Sequence, residues 1–345
     1  MNRDPRYDFF RGLALLAMTA EFAGGMRGEV GRDLLISPIT LFLFVSGLAY
    51  GRAWSKRVES QGFLNCQFCA LRNAGTMTLA ALVTFAVCLA LIWQYRHVPA
   101  AQPMTTSIHA YLAQRFEGFP QLLARAPELL SLLGCYIILV ALAPLAIQLY
   151  LHNRPLPTLI SLMSFVTGMM AVSTYVFAVP RAFGNLLIWQ FLFFLGLSIG
   201  AERARGAIRF PKQRRVVAAV LVVLVASASL RYSFRPPFAM PWAVIELLLA
   251  SYVIAAGLPT TCAIWQSEWL FPFTSCGRRS LLTLCCGIVV SQWVTLVGQA
   301  QRFEFGGFAL LNVVGIAAIM LTGMALQLIA DRHSFPADAP EWVTN

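Results

Sequence analysis

Charge is scarce in this sequence. Only 12% of its 345 residues are Asp, Glu, Lys or Arg, where a soluble chain carries about 25%. With 58% hydrophobic residues and a mean hydropathy of +0.69, the chain falls outside the soluble globular class. Histidine is scarce as well. His97, His109, His152 and His333 all lie between or beyond the apolar runs, so no imidazole sits within one. A Gly-rich phosphate loop, an H-E-x-x-H pair and a G-x-S-x-G elbow are absent, which leaves phosphate-cradle, zinc-protease and serine-hydrolase mechanisms without a motif. Cys66 and Cys69 form one C-x-x-C, with no second pair and no His pair at zinc spacing. The eight cysteines therefore read as small packing residues, and no metal site is expected. No fixed-period repeat is visible.

The sequence does have long apolar runs of about 17 to 25 residues, enough to cross ~30 Å of hydrocarbon at ~1.5 Å per residue. In lipid every backbone amide needs an internal partner, and runs that are continuous rather than alternating select helices over barrel strands. The candidate spans are 8–26, 34–51, 75–95, 127–150, 156–178, 184–201, 215–230, 240–260, 279–299 and 306–330. The expected fold class is all-α: a polytopic transmembrane bundle of about ten helices. Residues 1–332 read as one transmembrane domain and 333–345 as a short cytoplasmic tail. Gly24-Gly25, Pro120, Pro155, Pro157, Pro180, Pro236-Pro237 and Gly306-Gly307 punctuate the gaps. The run after Met1–Tyr7 keeps Arg11 and Glu21 and shows no small-x-small cleavage site, so it reads as a retained first helix. The connection at 96–126 places Tyr111, Leu112, Phe116, Phe119, Leu122 and Leu123 among polar residues, as a segment lying on the membrane surface would.

A net charge of +11 and a pI near 9.6 could suggest nucleic acid. The basic residues cluster between apolar blocks instead of forming one basic domain, which fits loops facing an anionic leaflet and no nucleic-acid partner. Ten helices put both termini on one face. That face carries the larger share of the 26 Lys and Arg residues, so it is expected to be cytoplasmic, in a bacterial inner membrane. His97 and His109 then face outward.

Ionisable groups inside a span cost about 2.5–3.5 kcal/mol on insertion scales, so each needs a reason. Arg11 and Glu21 share the first span, separated by about 15 Å along the axis and ~80° around it. Each must find its partner on another helix, in water, in a lipid phosphate or in a ligand. Glu128, Asn185, Trp189, Gln190, Glu246, Ser291, Gln292 and Asn312 are the other polar or amphipathic residues of the spans. They either join helices or line a polar interior. Arg52, Lys56 and Arg57, and the basic run from Arg203 to Arg215, either follow the positive-inside rule or meet an anionic cofactor such as coenzyme A.

Four stretches resemble the OpgC proteins, polytopic members of the wider acyltransferase-3 superfamily. Arg3-Asp4-Pro5-Arg6-Tyr7-Asp8-Phe9-Phe10-Arg11-Gly12-Leu13-Ala14-Leu15 looks like the opening of that family, and Leu43 to Gly51 like its second helix. Trp189-Gln190-Phe191-Leu192-Phe193-Phe194-Leu195-Gly196 resembles a central W-Q-x-L-F-x-L-G stretch, and Gly277-Arg278-Arg279-Ser280-Leu281 a late G-R-x-S-L stretch. The stretches run in order over most of the chain. The resemblance implies transfer of a succinyl-type acyl group from cytoplasmic acyl-CoA to a hydroxyl of a periplasmic glucan or other envelope saccharide. It makes Glu21 and Arg11 the catalytic candidates; beside it, the basic Arg52, Lys56 and Arg57 are the candidate acyl-CoA contacts, and His97, His109, Trp189 and Gln190 the candidate substrate contacts. No permanently bound cofactor is implied.

Two positions depart from the family. Its usual Asp-His, about ten residues after the R-G pair, is Glu21-Phe22 here. Arg279 fills the place where the late motif often has histidine. Acyl transfer needs a group to take the hydroxyl proton and donors for the oxyanion. A carboxylate with an ordinary pKa of about 4.3 is a weak substitute for imidazole. Glu21 takes over as base, His97 or His109 reaches in from the outer loop, or the chain keeps the fold as a binding or accessory protein. A secondary transporter is the remaining alternative, though no paired halves are visible.

Overall fold

The computed structural model describes residues 4–23, 37–99, 101–102, 128–174, 181–206, 214–231, 244–252, 265 and 267–332. Among them every regular element is helical. In chain order they are α1 (Pro5–Phe22), α2 (Pro38–Gln61), α3 (Phe63–Gln94), α4 (Glu128–His152), α5 (Pro155–Thr174), α6 (Arg181–Ala204) and α7 (Arg214–Arg231). A helical stretch at 244–252 follows, then a 3-10 turn (Glu268–Leu270), α8 (Phe271–Arg278), α9 (Ser280–Ala300) and α10 (Phe305–Arg332). Each expected span overlaps one of these helices. The surface segment expected at 96–126 lies outside the described residues from 103 onward, and His109 with it.

Among the described residues five helical segments are long and apolar enough to cross a membrane: Phe63–Gln94, Leu129–His152, Leu186–Ala204, Ser280–Ala300 and Gly306–Ile329. The outer faces of the bundle agree with that reading. Leu64, Phe68 and Leu79 of α3, Met163 of α5, Val222 of α7, and Leu310, Val313 and Leu321 of α10 all stand exposed. Water would penalise so much exposed hydrocarbon, and lipid does not. α1 and α2 are different. Their residues are buried on most sides, and α1 carries Arg6, Asp8, Arg11 and Glu21 within 18 residues. These two helices form the interior that the apolar helices surround.

The connection expected at 52–74 is not a loop. α2 continues to Gln61 and α3 starts at Phe63, so the break is the single residue Gly62, at φ 82°. That left-handed conformation suits a residue without a Cβ. α4 contains Pro144, which removes one amide donor from the middle of an apolar helix. Close to that proline, the Gln67 side-chain amide of α3 donates to the Ala141 carbonyl at 2.9 Å.

Two helix crossings have backbone in contact with backbone. Gly47 and Gly51 of α2 meet Gly196 and Gly200 of α6. A Cβ at Gly47 or Gly51 would fall on the Phe193 or Leu197 carbonyl oxygen, and one at Gly196 or Gly200 on the Phe44 or Leu48 carbonyl oxygen. This is a small-x-x-x-small pair read from both sides. In the same way a Cβ at Gly12 of α1 would strike the Phe273 carbonyl, and one at Gly277 of α8 the Asp8 carbonyl. Direction follows from two more contacts. The Asn312 side chain donates to the Ala20 carbonyl at 3.2 Å, and Gly323 lies against Cys276. α10 therefore runs antiparallel to α1, and the start of α1 and the end of α10 share one end of the bundle.

Gly196→Leu forces a side chain into the α2 backbone. It is expected to lower the melting temperature and shift the detergent-solubilised protein towards aggregate in size-exclusion chromatography, with a cost of at least about 1–3 kcal/mol for overpacking. Gly75→Leu, at a position with no neighbour within 4 Å of its would-be Cβ, is expected to leave both measurements unchanged.

Candidate functional site

The candidate site forms where α1 crosses α8 and the start of α9. Asp4 caps α1: its carboxylate accepts the Arg6 backbone amide at 3.2 Å, with Pro5 fitting the first helical position. The same carboxylate takes a forked pair of bonds from the Arg6 guanidinium, at 3.0 and 2.9 Å, and a third contact from Arg52 of α2 at 3.2 Å. Burial alone raises the Asp4 carboxyl. The Arg6 hydrogen bonds and the charges of Arg6 and Arg52 outweigh it and hold the group below its ordinary value. Arg203, at the end of α6, donates to the Tyr7 hydroxyl at 3.2 Å. Arg6, Tyr7, Phe10, Arg203 and Ser251 line a cavity of about 30 Å³, with room for roughly one water. Phe9 sits edge-on to Phe10, Trp265 and Phe273, packing the base of α1 against α8.

One turn further on, Asp8 is 3% exposed and faces the Arg278 guanidinium at 3.6 Å. Arg11 follows at 8% exposure, and its Nη2 donates to the Ser280 hydroxyl. The Arg11 Nε is buried without a hydrogen-bond partner, and among the described residues no carboxylate pairs with this guanidinium. The reading of Arg11 as a side chain reaching lipid phosphates is corrected here. The glycine-mediated contact of α1 with α8 turns Arg11 inward, onto the first residue of α9.

The helix is interrupted at that place. α8 ends at Arg278 and α9 begins at Ser280, with Arg279 between them at φ −102° and ψ 39°. The interrupted turn would have bonded the Ser280 amide to the Cys276 carbonyl. That carbonyl instead accepts the Thr283 hydroxyl at 2.9 Å. On either side of the break the Arg279 amide donates to the Ser275 carbonyl at 3.1 Å and its carbonyl accepts the Thr283 amide at 2.9 Å.

The remaining candidates divide by location. Glu21 is half-buried near the far end of α1, about 15 Å along the axis from Arg11 on an unbroken helix. Thr19 beside it would touch a Cβ at Gly287 of α9, and Asn312 of α10 caps Ala20. Arg52 joins the Asp4 cluster. Lys56 is exposed, and Arg57 lies over the Trp54 ring at 5.6 Å; neither reaches Arg11. His97 is exposed beside Tyr95 at the opposite end of α3. Trp189 is buried and Gln190 half-buried on α6, whose main neighbours are α2, α5 and α4 rather than α8 or α9. Ser291 bonds its own helix through the Ile288 carbonyl, and Glu246 is fully buried. The side chains of Glu128 and Asn185 lie outside the described residues. Sequence reasoning passed over Asp8, Arg278 and Ser280 as functional residues, although all three stand in the stretches that carry the family resemblance. The signal available was their position in two motifs at opposite ends of the chain.

A family model described as OpgC protein matches residues 3–330. No curated protein and no solved structure matches.

Because the Asp4 pKa is depressed, its stabilising contribution is complete above the ordinary value of 3.8 and is lost as pH falls through the lower folded value. The melting temperature of wild type is expected to exceed that of Asp4→Asn by a constant margin from neutral pH down to about pH 4.5, and the margin is expected to close below the ordinary carboxylate range. A margin independent of pH down to complete unfolding would show that the Asp4 charge is not what matters.

Proposed function

The chain belongs to the OpgC protein family, and from that membership we propose that it transfers a succinyl-type acyl group from cytoplasmic acyl-CoA to a hydroxyl of a periplasmic glucan or another envelope saccharide. The observation that carries this reading is Arg11: a guanidinium held inside an apolar bundle and bonded, among the described residues, only to the neutral Ser280, where its charge has a purpose if an anionic substrate comes to it. The bundle end that holds Asp4, Arg6, Arg52, Arg203 and Arg205 is rich in cations. By the positive-inside rule that end, with both termini, faces the cytoplasm of a bacterial inner membrane. The negatively charged donor enters there, with Arg52, Lys56 and Arg57 at its approach.

Glu21, at the other end of α1, is the base. Its carboxylate takes the proton of the acceptor hydroxyl as that oxygen attacks the thioester carbonyl. The tetrahedral oxyanion then collapses, the C–S bond breaks and the thiolate leaves. Glu21 and Arg11 are too far apart to act on one atom, so Arg11 orients a charged part of the donor while Glu21 works at the acceptor side. Trp189, Gln190, His97 and His109 remain candidates for holding the saccharide.

One observation favours a second reading, a family member that keeps the fold and binds without turnover. Phe22, which stands where the family resemblance expects histidine, is half-buried and packs against the apolar core. Mass spectrometry of envelope glucans from cells with and without the gene separates the two. The transferase reading expects a mass difference equal to an acyl group. It also expects that difference to vanish in Glu21→Gln, by at least the 10²–10⁴-fold typical of a lost general base, while membrane insertion persists. Unchanged saccharides in the deletion strain would favour the binding role, and full acylation by Glu21→Gln would remove Glu21 from the chemistry.

A further inference from the structure

We infer that the junction of α2, α4 and α6 holds a neutral hydroxyl, of a saccharide or of a water, on the Tyr136 phenol with Ser46 and Gln190 beside it. Tyr136 carries the argument. It is 1% exposed, and its hydroxyl has no hydrogen-bond partner among the described residues. A buried phenol usually finds one, because folding has taken its water away. A serine can turn back to a carbonyl of its own helix by rotating one bond, as Ser251 does on Leu247 at 2.6 Å. The phenol cannot, because its oxygen is fixed at the far end of a rigid ring. A group on another element, or a ligand, has to meet it.

Two more unpartnered groups belong to the same junction. The Tyr136 ring of α4 stands against Phe42 of α2 and Phe193 of α6, with centroids 5.1 and 6.3 Å away. Ser46 follows Phe42 by one turn of α2, and Gln190 precedes Phe193 by one turn of α6. The hydroxyl of Ser46, a fully buried residue, and the Gln190 Nε2 both lack a hydrogen-bond partner among the described residues. Three polar groups from three helices therefore lie within a turn of one aromatic contact, and none of them is charged at neutral pH. That selects an uncharged ligand. Two hydroxyls that donate and accept, with an amide that donates, match a hydroxyl, which does both. Aromatic walls with a few convergent polar groups are the usual make-up of a small-molecule site. Ser46 and Tyr136 are enclosed whereas Gln190 is half-buried, so Gln190 forms the edge. The junction is separate from the Arg11 crossing, since α6 packs mainly on α2, α5 and α4.

The saccharide form of this inference rests on the reading of a saccharide as acceptor; the hydroxyl chemistry does not. Tyr136→Phe tests both, because it removes one oxygen and keeps the ring with its two aromatic contacts. The measurements are calorimetry and thermal unfolding of the purified full-length protein in nanodiscs, with glucose and the glucose disaccharide cellobiose as probes. If the occupant is a saccharide, wild type binds a probe saturably, and Tyr136→Phe weakens that binding roughly 3- to 10-fold, as loss of one neutral hydrogen bond does. Gln190→Met is expected to weaken it in the same range. If the occupant is a water, neither probe binds and Tyr136→Phe lowers the melting temperature, because a bridging bond is lost. A phenol that meets nothing gives the opposite sign: its removal raises the melting temperature or leaves it unchanged, and neither probe binds. That outcome overturns the assignment, as does probe binding of equal strength in the two proteins with no loss of melting temperature. Glucan acylation is not among these readouts. A protein that binds sugar through Tyr136 yet acylates nothing would sink the transferase reading alone, and an acylating protein indifferent to Tyr136→Phe would sink this site alone.

Discussion

Backbone contact between α1 and α8 is the constraint on which the rest of the structure depends. Gly12 and Gly277 give up their side chains at the crossing, and each leaves room only for a carbonyl of the opposite helix. Lipid tails provide no hydrophobic drive for helices to associate, so close packing and interhelical polar bonds must hold them together. The closeness achieved by two glycines brings the Asp8 carboxylate to Arg278 and the Arg11 guanidinium to Ser280. With a Cβ at either glycine, α1 would stand off and those groups would face each other across a gap too wide to bond.

The second glycine crossing, between α2 and α6, has a different consequence. Its charge pairing lies at its end, where Arg205, just past α6, meets Glu59 of α2; it also fixes α2, and α2 carries Arg52 to the Asp4 cap of α1. α1 is thus clamped at its base by the Asp4–Arg6–Arg52 cluster and along its length by α8. The four sequence stretches that resemble the OpgC family are the contacting surfaces of these two crossings. Their glycines are there for packing, and at the α1–α8 crossing they bring the polar residues beside them within reach of partners on the opposite helix.

Much of the fold was legible in the sequence, for a physical reason. Hydrocarbon demands continuous apolar runs, and such runs can be counted without knowing what they pack against. The failures were at the ends. The start of α3 was read as loop because Asn65, Gln67, Arg72 and Asn73 break its apolarity, yet Gln67 is used inward, on the Ala141 carbonyl. Only Gly62 punctuated the turn, and a single glycine is a weak signal in a chain that has 24. For the site, the sequence could say that Arg11 needs a partner. It could not say which, because Ser280 lies 269 residues away. Nor could apolarity reveal the interruption at Arg279, since the residues on either side continue a helical pattern and the break shows only in the backbone dihedrals of Arg279.

An interrupted helix and a buried guanidinium that has no counter-ion among the described residues meet at one place. An experimental map of the protein in a lipid nanodisc, at a resolution that shows side chains, tests this most directly. It is expected to show α8 and α9 separated at Arg279, with the Arg11 guanidinium on the Ser280 hydroxyl. A continuous helix from 271 to 300, or an Arg11 side chain turned outward to lipid, would contradict it.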